Sequence, residues 1–121
     1  MKLLLRRNQK KGMLGGSITF TLQAQAKLIE EEAENVKTYK MGKTLLYSNI
    51  EDRGSGLIGV LSRAALGIEI TVNDLVLGKQ IDCKDIIQMM AVEEQIKEAC
   101  ANFKKVLDTA AQFGGEQVIE L

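Results

Sequence analysis

The fold of this chain is decided by residues 85–113, DIIQMMAVEEQIKEACANFKKVLDTAAQF, because their apolar side chains recur with a helical period. One apolar position repeats every seven residues, and a second follows each of them after three, as at the a and d positions of a heptad. The intervening g positions are all polar. The pattern predicts one long helix. The eight a and d positions, which we call the apolar seam, are Met89, Val92, Ile96, Ala99, Phe103, Val106, Ala110 and Phe113.

The ends and the length of this helix can be estimated from the same stretch. Asp82 can cap its N-terminus, and Gly114 with Gly115 would end it. About 29 residues at about 1.5 Å each give about 43 Å, whereas a domain of this size has a radius of gyration of about 14 Å. We expect the helix to overhang its domain. Its seam is then either covered by a second copy, which predicts a homodimer or higher oligomer, or packed on the protein's own sheet.

The sequence outside this long helix predicts strands and shorter helices. An antiparallel hairpin with one polar and one apolar face is expected from the first two strands, joined by Asn8 to Gly16. A helix is expected from Ile29 to Lys40, stopped by Gly42, and another from Leu57 to Leu66. The predicted strands are Lys2 to Arg7, Ser17 to Leu28, Lys43 to Ser48, Ile68 to Val72, Leu75 to Ile81 and Val118 to Leu121.

These elements define the fold class as α+β: a small, mainly antiparallel sheet with a short helix and one long C-terminal helix. With 121 residues and 45% hydrophobic content, the chain is expected to form a single domain over residues 1–121. Its apolar runs are too short for a signal peptide or a membrane span. We therefore expect a cytoplasmic protein with no membrane partner.

Charge is balanced overall but uneven along the sequence. The chain has 16 basic and 16 acidic residues, which argues against nucleic-acid binding driven by net charge. Residues 1–27 nevertheless carry six basic side chains and no acidic one. The two parts either attract each other within the fold or across a subunit contact, or the basic part binds an anionic partner. In the second case, phosphates or an acidic protein surface would meet Arg6, Arg7, Lys10 and Lys11.

A glycine pattern gives the one candidate ligand site. Gly54, Gly56 and Gly59 form a GxGxxG pattern, with Asp74 twenty residues after Gly54. A dinucleotide fingerprint needs a buried strand running directly into the first glycine, and polar residues stand there instead. The pattern favours a loop that leads into a short helix, and Arg53 with Arg63 beside it could hold an anionic group. The candidate ligand-binding residues are Arg53, Gly54, Gly56, Gly59, Arg63 and Asp74.

Catalytic chemistry finds little support in the sequence. The chain has no histidine, so the commonest general base and the imidazole metal ligand are missing, and we expect neither a metal nor a cofactor. Cys83 and Cys100 are interpreted as buried thiols. Asp82 and Asp85 are expected to cap helices, and Glu93 is expected to pair with Lys97 one turn on.

We interpret the chain as a non-catalytic, oligomeric protein-interaction module, most simply a homodimer, with a further protein as a partner. One alternative is a small-ligand binding domain or enzyme that uses the Gly54 to Gly59 loop for an anion. The other is weak nucleic-acid binding through the basic hairpin.

Overall fold

The computed structural model describes residues 1–12, 16–49, 67–113 and 118–121. The predicted α+β class is confirmed, with a small antiparallel sheet, short helices and one long C-terminal helix. The helix expected from Leu57 to Leu66 lies outside the described residues. The elements within these ranges are β1 (Lys2–Lys11), β2 (Ile18–Lys27), α1 (Glu30–Thr38), β3 (Leu45–Ser48), β4 (Glu69–Thr71), α2 (Val72–Leu77), β5 (Lys79–Cys83) and α3 (Ile86–Ala111).

Strands β1, β2 and β5 form an antiparallel sheet with β2 in the centre. β1 pairs with β2 along its whole length, so Asn8 to Lys11 belong to the strand and not to the connection that we expected. The alternation of β2 buries one face, as predicted, and leaves Thr21, Gln23 and Gln25 on the opposite, outer face. The buried side chains of β2 are Leu22, Ala24 and Ala26.

Helix α3 lies between this sheet and a second one made of β3 and β4. It contacts strands of both sheets, so one apolar core joins the two. Helix α2 also belongs to this core, since Val72 and Leu75 are fully buried in it. The largest fully buried side chains of the described chain come from all these elements: Phe103, Leu22, Ile70, Leu75, Ile96, Val72 and Val92.

The N-terminus of α3 is capped by Asp85, and the expectation for Asp82 was wrong. The Asp85 carboxylate accepts a hydrogen bond of 2.7 Å from the backbone N–H of Gln88, which satisfies one of the unpaired donors of the first turn. Asp82 is instead part of β5, where its carboxylate accepts a hydrogen bond from the Thr21 hydroxyl at 3.3 Å.

Helix α1 ends in a Schellman motif, and its left-handed residue is Lys40, with φ 51°. The N–H of Met41 donates to the carbonyl of Val36 at 3.0 Å, and the N–H of Lys40 donates to that of Lys37 at 3.3 Å. Lys40, and not Gly42, therefore provides the stop that we predicted. Gly42 instead lies close to Asn73: a Cβ there would lie 2.6 Å from the amide end of the Asn73 side chain, which is exposed.

Replacing Lys40 with glycine is expected to stabilise the protein by about 0.5–1 kcal/mol. A residue with a Cβ is strained in the left-handed conformation, and glycine relieves that strain. The relief exceeds the cost of the greater conformational entropy that glycine gives the unfolded chain. Urea denaturation measures the change. Lys40→Ala is the matched control, since it removes the charge but keeps the Cβ. Equal stability of the two variants would contradict the assignment of strain at this position.

The strand expected from Leu75 to Ile81 is wrong over its first part, because α2 occupies the stretch up to Leu77 and β5 begins only at Lys79. Thr71 and Asp74 form a capping box: the Thr71 hydroxyl accepts from the Asp74 N–H at 3.3 Å, and the Asp74 carboxylate accepts from the Thr71 N–H at 2.9 Å. This box begins α2. The helix ends at Gly78, whose φ of 97° suits glycine, and β5 begins at the next residue.

The strand predicted from Val118 to Leu121 is also wrong. These residues have no secondary structure, and their apolar side chains are exposed. The free edge of β1, which such a strand could have joined, has no strand beside it in the described chain.

Candidate interaction surfaces

The first five residues of the apolar seam lie in the chain's own core. Met89 is almost fully buried, and Val92, Ile96, Ala99 and Phe103 are fully buried. The two sheets and α2 pack against them in that core, together with Met41 from the segment after α1. Sharing of the seam between copies therefore remains a prediction, and it concerns only the end of α3 that these elements leave open.

Two of the four polar g positions of α3, Gln95 and Asn102, bond to the second sheet. Gln95 donates a hydrogen bond of 3.2 Å from its side-chain amide to the Tyr47 hydroxyl, and Asn102 donates one of 2.7 Å to the backbone carbonyl of Leu46. These two side chains thus donate to part-buried groups of β3. Heptad spacing alone identified the row as polar but gave no reason for it.

The apolar seam becomes exposed after Leu107, the last buried residue of α3. Val106 and Ala110 are half-buried, and Phe113 is 74% exposed. The ring of Phe113 lies edge-on to that of Tyr39 at the end of α1, with 5.5 Å between the ring centroids. Together these residues border a groove of about 430 Å³, which we call the apolar groove. Its lining is Tyr39, Met41, Lys105, Val106, Thr109, Ala110 and Phe113.

A second apolar cluster lies at the other end of α3. Ile86, Ile87 and Met90 are each more than half exposed, and their spacing of three and four residues makes them neighbours on the helix surface. Heptad analysis missed them because they fall on positions outside a and d, which are polar in most helices.

Glu93 is paired with Arg7, and the predicted pairing with Lys97 was wrong. The Glu93 side chain is 7% exposed, and one of its oxygens lies 2.7 Å from Nε and 2.6 Å from a terminal nitrogen of Arg7. Lys97 pairs with Glu94 instead, at 3.3 Å. The ion pair links α3 to β1, so it is part of the attraction that we expected between the basic N-terminal region and the acidic body.

The other cations of the basic hairpin remain on the surface. Exposed cations of β1 are Lys2, Arg6 and Lys10. As even-numbered residues they point to the outer face of the sheet, opposite to the face of Arg7. Lys11 is exposed at the end of β1. Among the ion pairs of the described ranges, only that of Arg7 involves a β1 side chain.

Five of the six predicted ligand-binding residues belong to one loop of the sequence. Arg53, Gly54, Gly56, Gly59 and Arg63 lie outside the described residues. The sixth candidate, Asp74, serves the capping box of α2, and its second oxygen lies 3.8 Å from the Lys79 ammonium. Ligand binding at this loop therefore remains a prediction.

Both cysteines are buried and unlinked, as the sequence indicated. Burial raises the pKa of the Cys83 thiol, and the carboxylates of Asp82 and Asp85 raise it further. Burial also raises the pKa of the Cys100 thiol. Since the thiolate is the reactive form, both groups favour a packing role. Over the described ranges, no cluster of three or more histidine, cysteine or acidic side chains could hold a metal ion.

Comparison with known proteins identifies no relative. No family model matches the chain, and neither the curated proteins nor the solved structures contain a match. Among the helices of residues 1–12, 16–49, 67–113 and 118–121, none is long and apolar enough to cross a membrane.

Proposed function

We propose that this protein is a non-catalytic protein-interaction module that self-associates through the apolar groove. The observation that supports this proposal is the exposure of the last part of the apolar seam. Phe113 and the half-buried Val106 and Ala110 continue a stripe whose other members are core residues. Burying exposed apolar side chains is favourable, and a partner surface that covers them would bury them.

The partner that fits the groove is a second copy of the chain. An exposed aromatic ring, Phe113, lies beside a concave surface that contains the small residue Ala110, so the projection and the recess belong to one surface. A two-fold axis through that surface places each Phe113 in the groove of the other copy. Aromatic anchors in recesses are where binding energy concentrates in protein interfaces.

Replacing Phe113 with aspartate is expected to weaken self-association about thirtyfold. A two-fold contact loses two aromatic anchors at once, and each partly exposed ring contributes about 1 kcal/mol on burial. Sedimentation equilibrium or light scattering over a wide concentration range measures the dissociation constant.

The control is Ile87→Asp, which places the same charge near the opposite end of α3 at a residue of similar exposure, 68%. This variant is expected to associate as the unchanged protein does. A protein that is monomeric at every concentration would refute the proposal. A loss of association in Ile87→Asp alone would place the interface at the cluster of Ile86, Ile87 and Met90 instead.

A further inference from the structure

The edge of β1 that faces away from β2 offers unpaired backbone groups over ten residues. The N–H of Gly12 donates to the carbonyl of Ser17 at 2.7 Å, and these two residues continue the register of β1 with β2. Hydrogen-bonded and non-bonded pairs alternate in an antiparallel ladder, so the even-numbered residues of β1 bond to β2. The odd-numbered residues therefore direct their N–H and C=O groups to the free edge: Leu3, Leu5, Arg7, Gln9 and Lys11.

The side chains along this edge are basic and regularly spaced. Lys2, Arg6 and Lys10 stand four residues apart on the outer face, and none of them forms an ion pair within the described chain. Between neighbouring strands, oppositely charged side chains that stand directly across from each other stabilise the pairing, and like charges destabilise it. The edge therefore selects a strand with acidic side chains at every fourth position.

We propose that the free edge of β1 binds an extended acidic segment of a partner protein as an added strand. Backbone hydrogen bonds from the odd-numbered residues would hold the segment, and Lys2, Arg6 and Lys10 would choose its sequence. A second β1 is disfavoured in the antiparallel register centred on Leu4, which sets Lys2 opposite Arg6. This surface is separate from the apolar groove, so the proposal does not depend on self-association.

A protein segment fits the edge better than a nucleic acid does. Single-stranded nucleic acids bind to sheets through aromatic rings on which bases stack. The outer face of the three-stranded sheet carries hydroxyl, amide and charged side chains, with Leu4 as its apolar exception. Amide ladders on this face, such as the 3.1 Å bond from Gln23 to Gln80, are also already made within the chain.

The proposal is tested with a synthetic, labelled peptide that has glutamate at every fourth position and valine or threonine between. Fluorescence anisotropy is expected to show saturable binding to the full chain. Two further peptides carry backbone N-methyl groups on opposite sets of alternate residues. Since only one set donates to β1, one methylated peptide should lose binding and the other should retain it.

Charge reversal on the protein gives the second measurement. Arg6→Glu is expected to weaken peptide binding about tenfold, because an attraction across the strands becomes a repulsion. Lys43→Glu, at an exposed site outside the sheet, makes the same change in net charge and should leave the affinity unchanged. Circular dichroism confirms that both variants fold.

Three results would overturn the proposal: no binding of the parent peptide, equal affinity of both methylated peptides, or equal weakening by the two charge reversals. Displacement of the peptide by a short oligothymidine would identify the edge as a nucleic-acid surface instead. A groove variant such as Phe113→Asp is expected to bind the peptide normally, which separates this proposal from the proposed self-association.

Discussion

Truncation of Phe103 to alanine is expected to lower the free energy of unfolding by about 3–5 kcal/mol. Phe103 has no exposed surface and lies on α3 in the core that joins the two sheets. Its removal leaves a cavity that the rigid helix and strands around it cannot fill completely, so lost burial and lost packing add together. Chemical denaturation of the two proteins under identical conditions measures the difference.

Phe113 provides a matched control for this prediction, since it is the same residue type on the same apolar seam. Because its side chain is 74% exposed, Phe113→Ala is expected to change the stability of the monomer by no more than about 0.5 kcal/mol. The two variants should also differ in concentration dependence. The cost of Phe103→Ala should be constant with protein concentration, whereas any cost of Phe113→Ala should appear only where copies associate.

A concentration-dependent cost of Phe103→Ala would contradict the packing of α3 described above. If the loss caused by Phe103→Ala varied with protein concentration, Phe103 would be buried between copies, and α3 would pair with α3 instead of covering the sheets. A heptad pattern cannot separate these cases in advance, because the period of apolar residues is the same whether a sheet or another helix covers them.

Strands and helices could be predicted from the sequence where residues close to them in the chain determine them. Alternation along β2 predicted its polar and apolar faces, and helical periodicity predicted α3 within two residues at its C-terminal end. The end of α1 was misplaced because Lys40 adopts a left-handed conformation in which glycine is the common residue. The capping box of Thr71 and Asp74 could have revealed α2, since a hydroxyl residue three positions before an acid is a known helix start.

The interaction surfaces were harder to predict because they depend on tertiary placement. The sequence showed that the N-terminal region is basic, but only the strand order shows that β1 lies at an edge. Likewise, adjacent acids on a helix gave no reason to choose Glu93 over Glu94 as the partner of a distant cation. Arg7 distinguishes them, since it is on the face of β1 that points toward α3.

Replacing Arg7 with alanine is expected to destabilise the protein by about 2 kcal/mol, between the ranges for exposed and for buried ion pairs. The substitution leaves the Glu93 carboxylate, 7% exposed, without its partner. Arg7 is itself 63% exposed, so water that reaches the vacated space limits the loss. Arg6→Ala is the control, because Arg6 is adjacent in β1 but lies on the outer face, and it should change stability by no more than about 0.5 kcal/mol.

Replacing both partners at once separates two possible sources of this loss, the unpaired charge of Glu93 and the packing of the Arg7 stem. If the cost arises from leaving Glu93 charged and unpaired, Arg7→Leu combined with Glu93→Leu should restore stability to within about 1 kcal/mol of the unchanged protein, since apolar residues of similar volume often replace a buried ion pair without loss. If the double variant is no more stable than Arg7→Ala, the packing of the Arg7 stem, and not its charge, holds β1 to α3. Equal stability of Arg7→Ala and Arg6→Ala would show that the ion pair contributes nothing to the fold.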